Sequence, residues 1–406
     1  MSKGSPGAGP DRFAFELYDE RFSVPFDYPV YFTREVFHPE NPLVESVLGR
    51  RHEARRHRAV VYVDAGVASA HPHLVQQIKD YFHDRPGSLE LASSPEVIPG
   101  GEAAKCSWDR VKDILWTIGN HHLCRQSFVI AVGGGSVLDM VGFATSLVHR
   151  GLRLVRVPTT VLAQSDAGVG VKNGMDEHGA KNYVGTFAPP FAVLNDFSFL
   201  ATLENRDWTG GIVEAFKVAV IKDAAFFDFL CAGAGRLRAR DQAAMETLIR
   251  RTAALHLEHI RTGGDPFEFG AGRPLDFGHW SAHKLEAMSG YTLGHGQAVA
   301  VGIAIDSFCA MRQGLISADE LNRIIAGMTE CGLPVWDDLL EARTADGILV
   351  VLDGLNQFRE HLGGTLTVTL PKGIGAKVEV HQVHADVVEQ AIAHLKERHA
   401  AHEAPG

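Results

Sequence analysis

Two hydrophobic patterns divide the chain near residue 200. Before that point, short apolar runs of strand length alternate with segments of helical periodicity, as in an α/β fold. Strands are predicted at 59–63, 88–91, 127–132, 152–157 and 191–195, and helices at about 74–82 and 107–121. Ahead of them, aromatic and apolar residues alternate over 13–37, which predicts an N-terminal β-hairpin. The first half is therefore predicted to be Rossmann-like.

Beyond residue 200 the apolar residues recur with the period of an α-helix. Helices are predicted at 206–221, 243–260, 276–288, 298–310, 318–331 and 385–398, with one strand at 365–370. A chain of 406 residues exceeds what one hydrophobic core usually supports, so two domains are expected. We predict a disordered tail at 1–12, an α/β domain at 13–200 and an all-α domain at 201–400.

Composition narrows the classes of function. The net charge is −10 and the sequence contains no basic run, which argues against a nucleic-acid partner. The 5 cysteines are scattered, so neither a disulfide framework nor a thiolate metal site is indicated. No apolar run is long enough to span a membrane, and the N-terminus lacks an apolar signal segment. We expect a cytoplasmic protein that acts on small molecules.

A glycine-rich turn follows the strand at 127–132. Gly133, Gly134 and Gly135 let the backbone approach a ligand, and the helix that starts there offers free NH groups to a diphosphate. The turn is not a GxGxxG motif, so an ordinary tight turn stays an alternative. Asp64 ends the strand at 59–63, where an acid can bind a ribose hydroxyl or simply cap a helix.

A second group of polar residues follows the strand at 152–157. Thr159 and Thr160 carry hydroxyls at the carboxyl edge of the sheet, where ligands of open α/β sheets bind. The next segment is rich in glycine and poorly periodic, and we expect it to be a loop. It contains Asp166, Lys172, Lys181 and Asn182. Lysines and an amide suit an oxyanion such as phosphate, with a solvated loop as the alternative.

Histidines and one acid in the helical part point to a metal site. His279 and His283 are four residues apart and share a helix face, and His295 opens a second apolar run that could fold back beside it. Glu214 and Lys217 share a face of a mostly apolar helix, where neither is expected to be buried without a partner. Zinc bound by histidines needs a further ligand, which Glu214 would supply. Because the chain has 21 histidines, a polar helix face without metal remains the alternative.

Taken together, these motifs resemble the 3-dehydroquinate synthase family of sugar phosphate cyclases, with their spacings kept over about 59–380. Iron-type alcohol and glycerol dehydrogenases share the fold and a glycine-rich loop. They lack the pairing of Glu214 with Lys217 and the set formed by Lys172, Lys181 and Asn182. The resemblance implies an NAD-binding α/β domain and a helical domain that binds metal and substrate.

The resemblance also implies roles for individual residues. The metal ligands would be Glu214, His279 and His295, holding Zn²⁺ or Co²⁺. The NAD contacts would be Asp64, Glu102, Lys105, Gly133, Gly134, Gly135, Ser136, Asp139, Thr159, Thr160, Leu162, Lys181, Phe199, Thr202, Leu203 and Asp207. The catalytic residues would be Asp166, Lys172, Lys217 and His283, and Asn182 would bind substrate. Arg150 would reach into the partner subunit, since the family is typically dimeric.

Several positions depart from the family's grip on a substrate carboxylate. A gap-free alignment places Glu258 where the family has a lysine, and Gly272 where it has an arginine, with Arg273 displaced by one. Asp276 stands in place of an asparagine. A buried Glu258 would repel a carboxylate, and each lost charge-assisted bond is worth about 1.5 to 3 kcal/mol. The family's usual heptulosonate substrate is therefore not expected.

The region that normally holds the substrate phosphate also differs, because Glu360 and His361 lie where the family has a lysine pair. The sequence around these positions is most similar to the EboD group of dehydroquinate-synthase-like proteins. The implied chemistry oxidises a ring hydroxyl with bound NAD, eliminates phosphate, reduces the ketone again and closes a carbocycle by aldol addition.

The function implied is therefore NAD- and zinc-dependent cyclisation of a ketose phosphate in secondary metabolism, by a homodimer. Alternatives are a true 3-dehydroquinate synthase, in which Arg273 and His256 or His259 hold the carboxylate, and a sedoheptulose 7-phosphate cyclase. An NAD-dependent polyol dehydrogenase and a non-catalytic protein that has kept the pocket are also considered.

Overall fold

A parallel β-sheet organises the first part of the chain in the computed structural model, which describes residues 17–178, 180–267, 274–361 and 364–403. The strands in this part are β1 (Val30–Thr33), β2 (His57–Asp64), β3 (Leu89–Leu91), β4 (Glu96–Ile98), β5 (Phe128–Gly133), β6 (Arg153–Pro158), β7 (Lys172–Glu177), β8 (Ala180–Phe187) and β9 (Ala192–Asp196). Seven of them form the sheet in the order β1-β9-β6-β5-β2-β3, with β4 also paired to β2. These pairings are parallel, so the carboxyl ends of the strands meet at one edge.

Helices cover both faces of this sheet. They are α1 (Leu43–Leu48), α2 (Ala65–Ala70), α3 (Leu74–His83), α4 (Trp108–Asn120) and α5 (Gly135–Leu147). On one face Ile78 and Tyr81 of α3 pack against alternate residues of the central strands, and on the other Val141 of α5 does so. Every residue of β5 is buried, which explains its unbroken apolar sequence.

The rest of the chain is mainly helical. Its elements are α6 (Asn205–Gly210), α7 (Ile212–Lys222), α8 (Ala224–Arg238), α9 (Gln242–Thr262), α10 (His279–Met288), α11 (His295–Arg312), α12 (Ala318–Glu330), α13 (Asp353–His361), β10 (Val368–Pro371), β11 (Lys377–Val380) and α14 (Ala385–Glu403). Helix α11 is buried along nearly its whole length, which makes it the central helix of this part. None of the described helices combines the length and apolar character needed to cross a membrane.

The predicted fold class is confirmed, with local corrections. The predicted N-terminal hairpin is wrong, because within the described residues 17–37 β1 is the one strand and it pairs in parallel with β9. Phe22 and Phe26, which contributed to the alternating pattern, are exposed, so the alternation did not reflect a buried face. The predicted loop after Thr160 contains an antiparallel hairpin of β7 and β8. The predicted tail at 1–12 lies outside the described residues.

Two predictions in the helical part also need correction. The single helix predicted over 206–221 is divided into α6 and α7, since the helix is interrupted at Gly211. Helices α8 and α13 were not predicted. The strand predicted at 365–370 is present as β10, which pairs antiparallel with β11.

A buried arginine fastens the segment between β6 and β7. The guanidinium of Arg156 donates to the carbonyl oxygens of Gly168 at 3.1 Å, Gly170 at 2.8 Å and Lys172 at 2.8 Å. It also donates to Oδ1 of Asn173 at 2.7 Å. These bonds satisfy carbonyl groups that the irregular backbone would otherwise leave unpaired, and they fix the segment that carries Asp166.

Close glycine contacts position α11 against its neighbours. A Cβ atom on Gly296 would lie 2.1 Å from the carbonyl oxygen of Gly210, and one on Gly302 would lie 1.9 Å from that of Gly278. Gly278 itself has φ +79°, a left-handed conformation that side-chain-bearing residues rarely adopt. Glycine at these positions is therefore required for the observed separation of α11 from α6 and α10.

We predict that Gly302→Ala destabilises the protein by about 1 to 3 kcal/mol, because the new methyl group forces α10 and α11 apart. Denaturant unfolding followed by circular dichroism measures this change. Gly233→Ala is the matched control, since a Cβ at this helical glycine of α8 meets nothing within 4 Å. The control should be neutral or stabilising by up to about 1 kcal/mol. Equal stability of the Gly302 variant and the control would contradict the prediction.

A second contact between α10 and α11 predicts a pH dependence of stability. Oδ2 of Asp306 accepts from the backbone NH of Gly278 at 2.9 Å, and Oδ1 accepts from Nε1 of Trp280 at 2.7 Å. Burial nevertheless raises the pKa of Asp306 from 3.8 to about 7. The folded state therefore binds more protons than the unfolded state between these values, so this group lowers stability as the pH rises from about 4 to about 7.

Asp306→Asn should remove this dependence, because asparagine does not titrate. In the wild type this group alone lowers the free energy of unfolding by up to about 1.4 kcal/mol for each pH unit in the window. Denaturant unfolding at several pH values between 4 and 8 measures the slope. Asp346→Asn, at an exposed position, is the control and should keep the wild-type slope. An unchanged slope in the Asp306 variant would refute the assignment.

Candidate active site

Three side chains predicted as metal ligands meet at one point. Glu214 lies in the first turn of α7, and His279 and His295 are the first residues of α10 and α11. One potential ligand atom from each lies within 4.8 Å of the other two. The first and last of the three residues are 81 positions apart in the sequence, and the glycine contacts of α11 bring them together. We call Glu214, His279 and His295 the three-residue cluster.

The environment of Glu214 suits a bound cation. The side chain is fully buried, and one carboxylate oxygen forms an ion pair with the ammonium group of Lys217. Among the described residues, neither oxygen accepts a hydrogen bond of good geometry, and Oε1 lies 3.8 Å from Nε2 of His295. Burial raises the pKa of Glu214, against the charge of Lys217, which lowers it. A buried carboxylate in this condition is stabilised by a cation.

The two histidines are oriented for ligation through Nε2. Nδ1 of His279 lies 3.0 Å from the carbonyl oxygen of Phe277, to which it can donate, and this leaves Nε2 with a free lone pair. Burial, together with the nearby charge of Lys217, lowers the pKa of His279 well below its ordinary value, so its ring is neutral. Nδ1 of His295 lies 3.3 Å from Oε2 of Glu286, and its Nε2 faces Glu214. Burial lowers the pKa of His295, but Glu286 and Glu214 outweigh it and raise the pKa above its ordinary value. A zinc ion would bind the deprotonated Nε2 of each ring, so metal and proton compete at His295.

An acid and two basic groups line one side of the three-residue cluster. Nζ of Lys217 lies 3.8 Å from Oδ2 of Asp166, and Nδ1 of His256 lies 2.5 Å from Oδ1 of the same carboxylate. Burial raises the pKa of Asp166, but the charges of Lys217 and His256 outweigh it and hold the pKa well below its usual range. Burial lowers the pKa of Lys217. The opposite effect of three nearby carboxylates is larger and raises this pKa above its usual value; they belong to Asp166, Glu214 and Asp276. Near neutral pH Lys217 is therefore protonated and Asp166 ionised, so this side offers a hydrogen-bond donor and an acceptor.

The position predicted for the carboxylate-gripping lysine needs a correction. Glu258 on α9 is exposed, so the prediction that a buried acid faces the substrate is wrong. His256, two residues earlier on the same helix, contacts Asp166 instead. Asp276 is partly buried and its charge acts on Lys217, which brings it near the cluster. Arg273 lies outside the described residues.

The glycine-rich turn lies at the carboxyl edge of the sheet. Strand β5 ends at Gly133, and α5 begins at Gly135. A Cβ atom on Gly134 would lie 3.3 Å from Cγ2 of Thr160, and one on Gly133 would lie 3.0 Å from Cβ of Asp64. Asp64 accepts from the backbone NH of Gly66 at 2.8 Å, so it caps α2 at the same edge. The turn and its neighbours leave the backbone NH groups at the start of α5 available to a ligand.

Charged residues connect this turn with the hairpin of β7 and β8. Oγ of Ser136 donates to Oε2 of Glu102 at 3.0 Å, and Nζ of Lys181 lies 3.0 Å from Oε1 of Glu102. Nζ of Lys105 donates to Asp139 at 3.0 Å and also to Oδ1 of Asn182. Two groups of contacts therefore connect the predicted nucleotide residues with the hairpin: Ser136 and Glu102 with Lys181, and Asp139 and Lys105 with Asn182.

Other predicted residues occupy the surroundings of this surface. Thr159 is buried at the end of β6, and Leu162 lies against Gly211, whose added Cβ would meet its backbone nitrogen at 2.5 Å. Thr202 contacts His71 through a hydrogen bond of 2.8 Å. Near Thr202, Phe199 is buried, Leu203 is partly buried and Asp207 is exposed on α6.

The remaining predicted site residues differ in their exposure to solvent. His283 belongs to the site, with its ring centroid 5.5 Å from that of His279 and 6.2 Å from that of His295. Lys172 is exposed at the start of β7, and Arg150 is exposed after α5. Glu360 is exposed on α13, and the side chain of His361 lies outside the described residues.

Residues that the sequence analysis did not assign complete the site. Glu286 is almost fully buried and forms ion pairs with His295 and with Lys181. Asp176 is buried 3.9 Å from Nζ of Lys105. Glu286 lies seven residues after His279 and three after His283, so helical spacing could have placed it on the same face. No comparable pattern in the sequence pointed to Asp176.

Comparison with known proteins gives the chain a family. The 3-dehydroquinate synthase N-terminal family model matches residues 96–210, and the 3-dehydroquinate synthase C-terminal family model matches residues 211–350. A 2-epi-valiolone synthase of Actinosynnema mirum is 33% identical over 377 residues, which cover 91% of this chain and 92% of the relative. Similarity therefore extends over nearly the whole of both chains.

Solved structures agree with this result. ValA, the 2-epi-5-epi-valiolone synthase from Streptomyces hygroscopicus subsp. jinggangensis with NAD⁺ and Zn²⁺ bound, aligns with a TM-score of 0.82 and 30% identity over 94% of this chain and 100% of its own. A 2-deoxy-scyllo-inosose synthase complexed with carbaglucose-6-phosphate, NAD⁺ and Co²⁺ aligns with a TM-score of 0.71 over 89% of this chain and 95% of its own. At 21% identity the second comparison shows the shared fold. The chain belongs to the 3-dehydroquinate synthase family of sugar phosphate cyclases.

Proposed function

We propose that this chain is an NAD- and divalent-metal-dependent cyclase that converts a ketose phosphate into a carbocycle with loss of phosphate. The observation that carries the proposal is the meeting of Glu214, His279 and His295 beside Lys217 and Asp166. One carboxylate and two imidazoles form a donor set that suits Zn²⁺ or Co²⁺ and leaves coordination positions for substrate. ValA with Zn²⁺ and the scyllo-inosose synthase with Co²⁺ support this choice of metal.

The metal and NAD have separate roles in this proposal. The metal, when bound, would supply Lewis acidity that polarises the hydroxyl groups of a sugar, and NAD⁺ would accept a hydride from the substrate and return it later in the same turnover. Backbone NH groups at Gly134 and Gly135 would hold the diphosphate of NAD, and Asp64 would bind a ribose hydroxyl. The NAD⁺ in both solved relatives supports the assignment.

Proton transfer and phosphate binding fall to the protein's own residues. Lys217 holds a proton at Nζ and can donate a hydrogen bond to a substrate oxygen, while Asp166, which accepts a hydrogen bond from His256, orients that imidazole beside the substrate. Asn182 accepts from Lys105 through Oδ1, which leaves its amide NH₂ as a donor for a substrate oxygen. Lys172 supplies a further positive charge for phosphate, and His283 extends the cluster toward the substrate.

The substrate is proposed to lack the carboxylate of the shikimate-pathway heptulosonate. With Glu258 exposed and His256 held by Asp166, the described part of α9 presents no lysine for a carboxylate. The likeness to valiolone synthases supports a ketose phosphate without a carboxylate, of which sedoheptulose 7-phosphate is one. The proposal has four further parts. The chain belongs to the EboD group, acts in secondary metabolism and is located in the cytoplasm. It forms a homodimer in which Arg150 reaches into the partner's site.

The substrate proposal is tested with purified protein, NAD⁺, Zn²⁺ and a panel of phosphosugars. We expect phosphate release from sedoheptulose 7-phosphate or another ketose phosphate without a carboxylate, and release at least about 100-fold slower from the heptulosonate, because Glu258 stands where the family has a lysine for that carboxylate. A malachite green assay measures phosphate. Rapid release from the heptulosonate alone would mean a true 3-dehydroquinate synthase.

The same reactions, followed at 340 nm, separate the remaining alternatives. A cyclase returns its hydride within each turnover, so no net NADH is formed. Net NADH with a polyol would indicate a dehydrogenase. Binding of both cofactors without turnover of any phosphosugar in the panel would favour a non-catalytic protein.

The metal assignment predicts that Glu214→Gln weakens Zn²⁺ binding by at least about 100-fold, since a neutral amide replaces the one anionic ligand. Competition with a fluorescent chelator measures the affinity. Glu360→Gln, at an exposed acid on α13, is the control and should bind Zn²⁺ as the wild type does. Thermal melting of each variant in the absence of metal checks that the fold is kept. Equal Zn²⁺ affinity of the folded Glu214 variant and wild type would reject the proposed ligand.

A further inference from the structure

We propose that Glu286 orients His295 for the metal and couples metal binding to nucleotide binding through Lys181 and Glu102. This inference rests on the proposed function, because it requires that the three-residue cluster binds a divalent ion and that the start of α5 binds a dinucleotide. Glu286 would act through His295 and Lys181, and is therefore a positioning residue rather than a catalytic one.

The contact with His295 decides which ring nitrogen is free. Oε2 of Glu286 lies 3.3 Å from Nδ1 of His295, while Nε2 of the same ring lies 3.8 Å from Oε1 of Glu214. A carboxylate accepts but cannot donate, so Nδ1 carries a proton, and in the neutral ring this leaves the lone pair on Nε2. The side chain of Glu286 is 2% exposed, so water does not compete for this bond. The arrangement is the one by which an outer carboxylate fixes a metal-binding histidine.

The second oxygen of Glu286 leads toward the nucleotide side. Nζ of Lys181 lies 2.6 Å from Oε1 of Glu286 and 3.0 Å from Oε1 of Glu102. Oε2 of Glu102 in turn accepts from Oγ of Ser136, the second residue of α5, at 3.0 Å. Ser136, Glu102, Lys181, Glu286 and His295 thus form a continuous row of hydrogen bonds and ion pairs. We call this row the five-residue relay.

Charges alternate from Glu102 through Lys181 to Glu286, and exposure of the side chains falls along this order from 31% at Glu102 to 2% at Glu286. Lys181 is the one cation between two carboxylates, and its side chain is 12% exposed. A ligand that draws on Glu102 or Ser136 changes how strongly Lys181 binds Glu286, and this in turn changes the hold of Glu286 on His295. Coupling of this kind is reciprocal, so the metal must affect nucleotide affinity by the same factor as the nucleotide affects metal affinity.

A second metal ion is the competing explanation of the same residues. His283, Glu286 and His295 also offer ligand atoms within 4.8 Å of one another. The ammonium group of Lys181, however, already forms an ion pair with Glu286 and would be forced against a second dication. The geometry therefore favours the positioning role, in which Lys181 supplies the positive charge that Glu286 needs.

The test compares the affinity of wild type and variants for Co²⁺ and NAD⁺, each with and without the other ligand. Visible absorption reports Co²⁺ binding, and quenching of intrinsic fluorescence reports NAD⁺ binding. In the wild type we expect each ligand to tighten the other about 10-fold, within the usual range of coupling. In Glu286→Gln we expect Co²⁺ affinity to fall by about 10- to 100-fold and both coupling factors to approach one.

Two further variants separate this role from a general loss of stability. Lys181→Met should also abolish the coupling, yet reduce Co²⁺ affinity less than Glu286→Gln, because Glu286 still contacts His295. Asp353→Asn is the matched control. Asp353 is exposed and forms an ion pair of 2.8 Å with Lys284, which lies on the same helix as Glu286. This variant should bind both ligands as the wild type does. A Glu286 variant in which only the melting temperature changes would overturn the proposal.

The outcomes distinguish this inference from the proposed function. If neither Co²⁺ nor NAD⁺ binds to the wild type, the proposed function fails and this inference fails with it. If both bind but neither affects the other, the five-residue relay does not couple the two sites and only this inference is overturned. Two Co²⁺ ions per chain, with loss of one in Glu286→Gln, would overturn it in favour of a second metal site.

Discussion

Backbone contact at glycine residues is the constraint on which the site depends. Both proposed histidine ligands lie next to such a contact: Gly296 follows His295 and touches Gly210, and Gly278 precedes His279 and touches Gly302. A side chain at either contact would move the helices apart by more than the few tenths of an ångström that a metal site tolerates. The placement of the ligands is therefore a result of helix packing, before any ion is bound.

The charges of the site compensate one another in pairs, and this explains why so many ionisable groups can be buried together. Lys217 lies between Glu214 and Asp166, and Lys181 lies between Glu102 and Glu286. Removing one member would leave an unpaired buried charge, which costs several kcal/mol. The carboxylates and imidazoles that face the centre still lack one cation. A divalent ion supplies that charge without requiring a further side chain.

The sequence predicted the fold through regular spacing, whereas the set of Glu214, His279 and His295 was implied by the family resemblance, and the structure brings these three side chains together. Buried strands and amphipathic helices are visible as apolar patterns, and the pair His279 and His283 is visible as a helical repeat. The hairpin of β7 and β8 was missed since Arg156, on a different strand, holds the segment that leads into it. Long-range polar contacts of this kind leave no local pattern in the sequence.

The face of α9 that looks into the site shows a different limit of prediction. Side chains two positions apart on a helix point in directions about 200° apart. A gap-free alignment that is displaced by two positions therefore exchanges an inward residue for an outward one. Glu258 was predicted to face the substrate on such an alignment, and His256 contacts Asp166 instead. The sequence could identify a departure from the family's carboxylate grip, but not the residue that replaces it.

The same fold in iron-containing alcohol dehydrogenases, which align with a TM-score of 0.60 at 15% identity, shows that topology does not decide the chemistry. This chain also has a lysine one helical turn after the acidic ligand. Beside that lysine lies an aspartate that accepts a hydrogen bond from a histidine. These groups can move protons within a site that also transfers hydride. Elimination of phosphate next to a newly formed ketone requires both kinds of transfer in one pocket, whereas oxidation of an alcohol requires fewer proton-transfer groups. The surplus of buried acid–base groups around Lys217 is therefore the feature of this chain that favours a cyclase over a dehydrogenase.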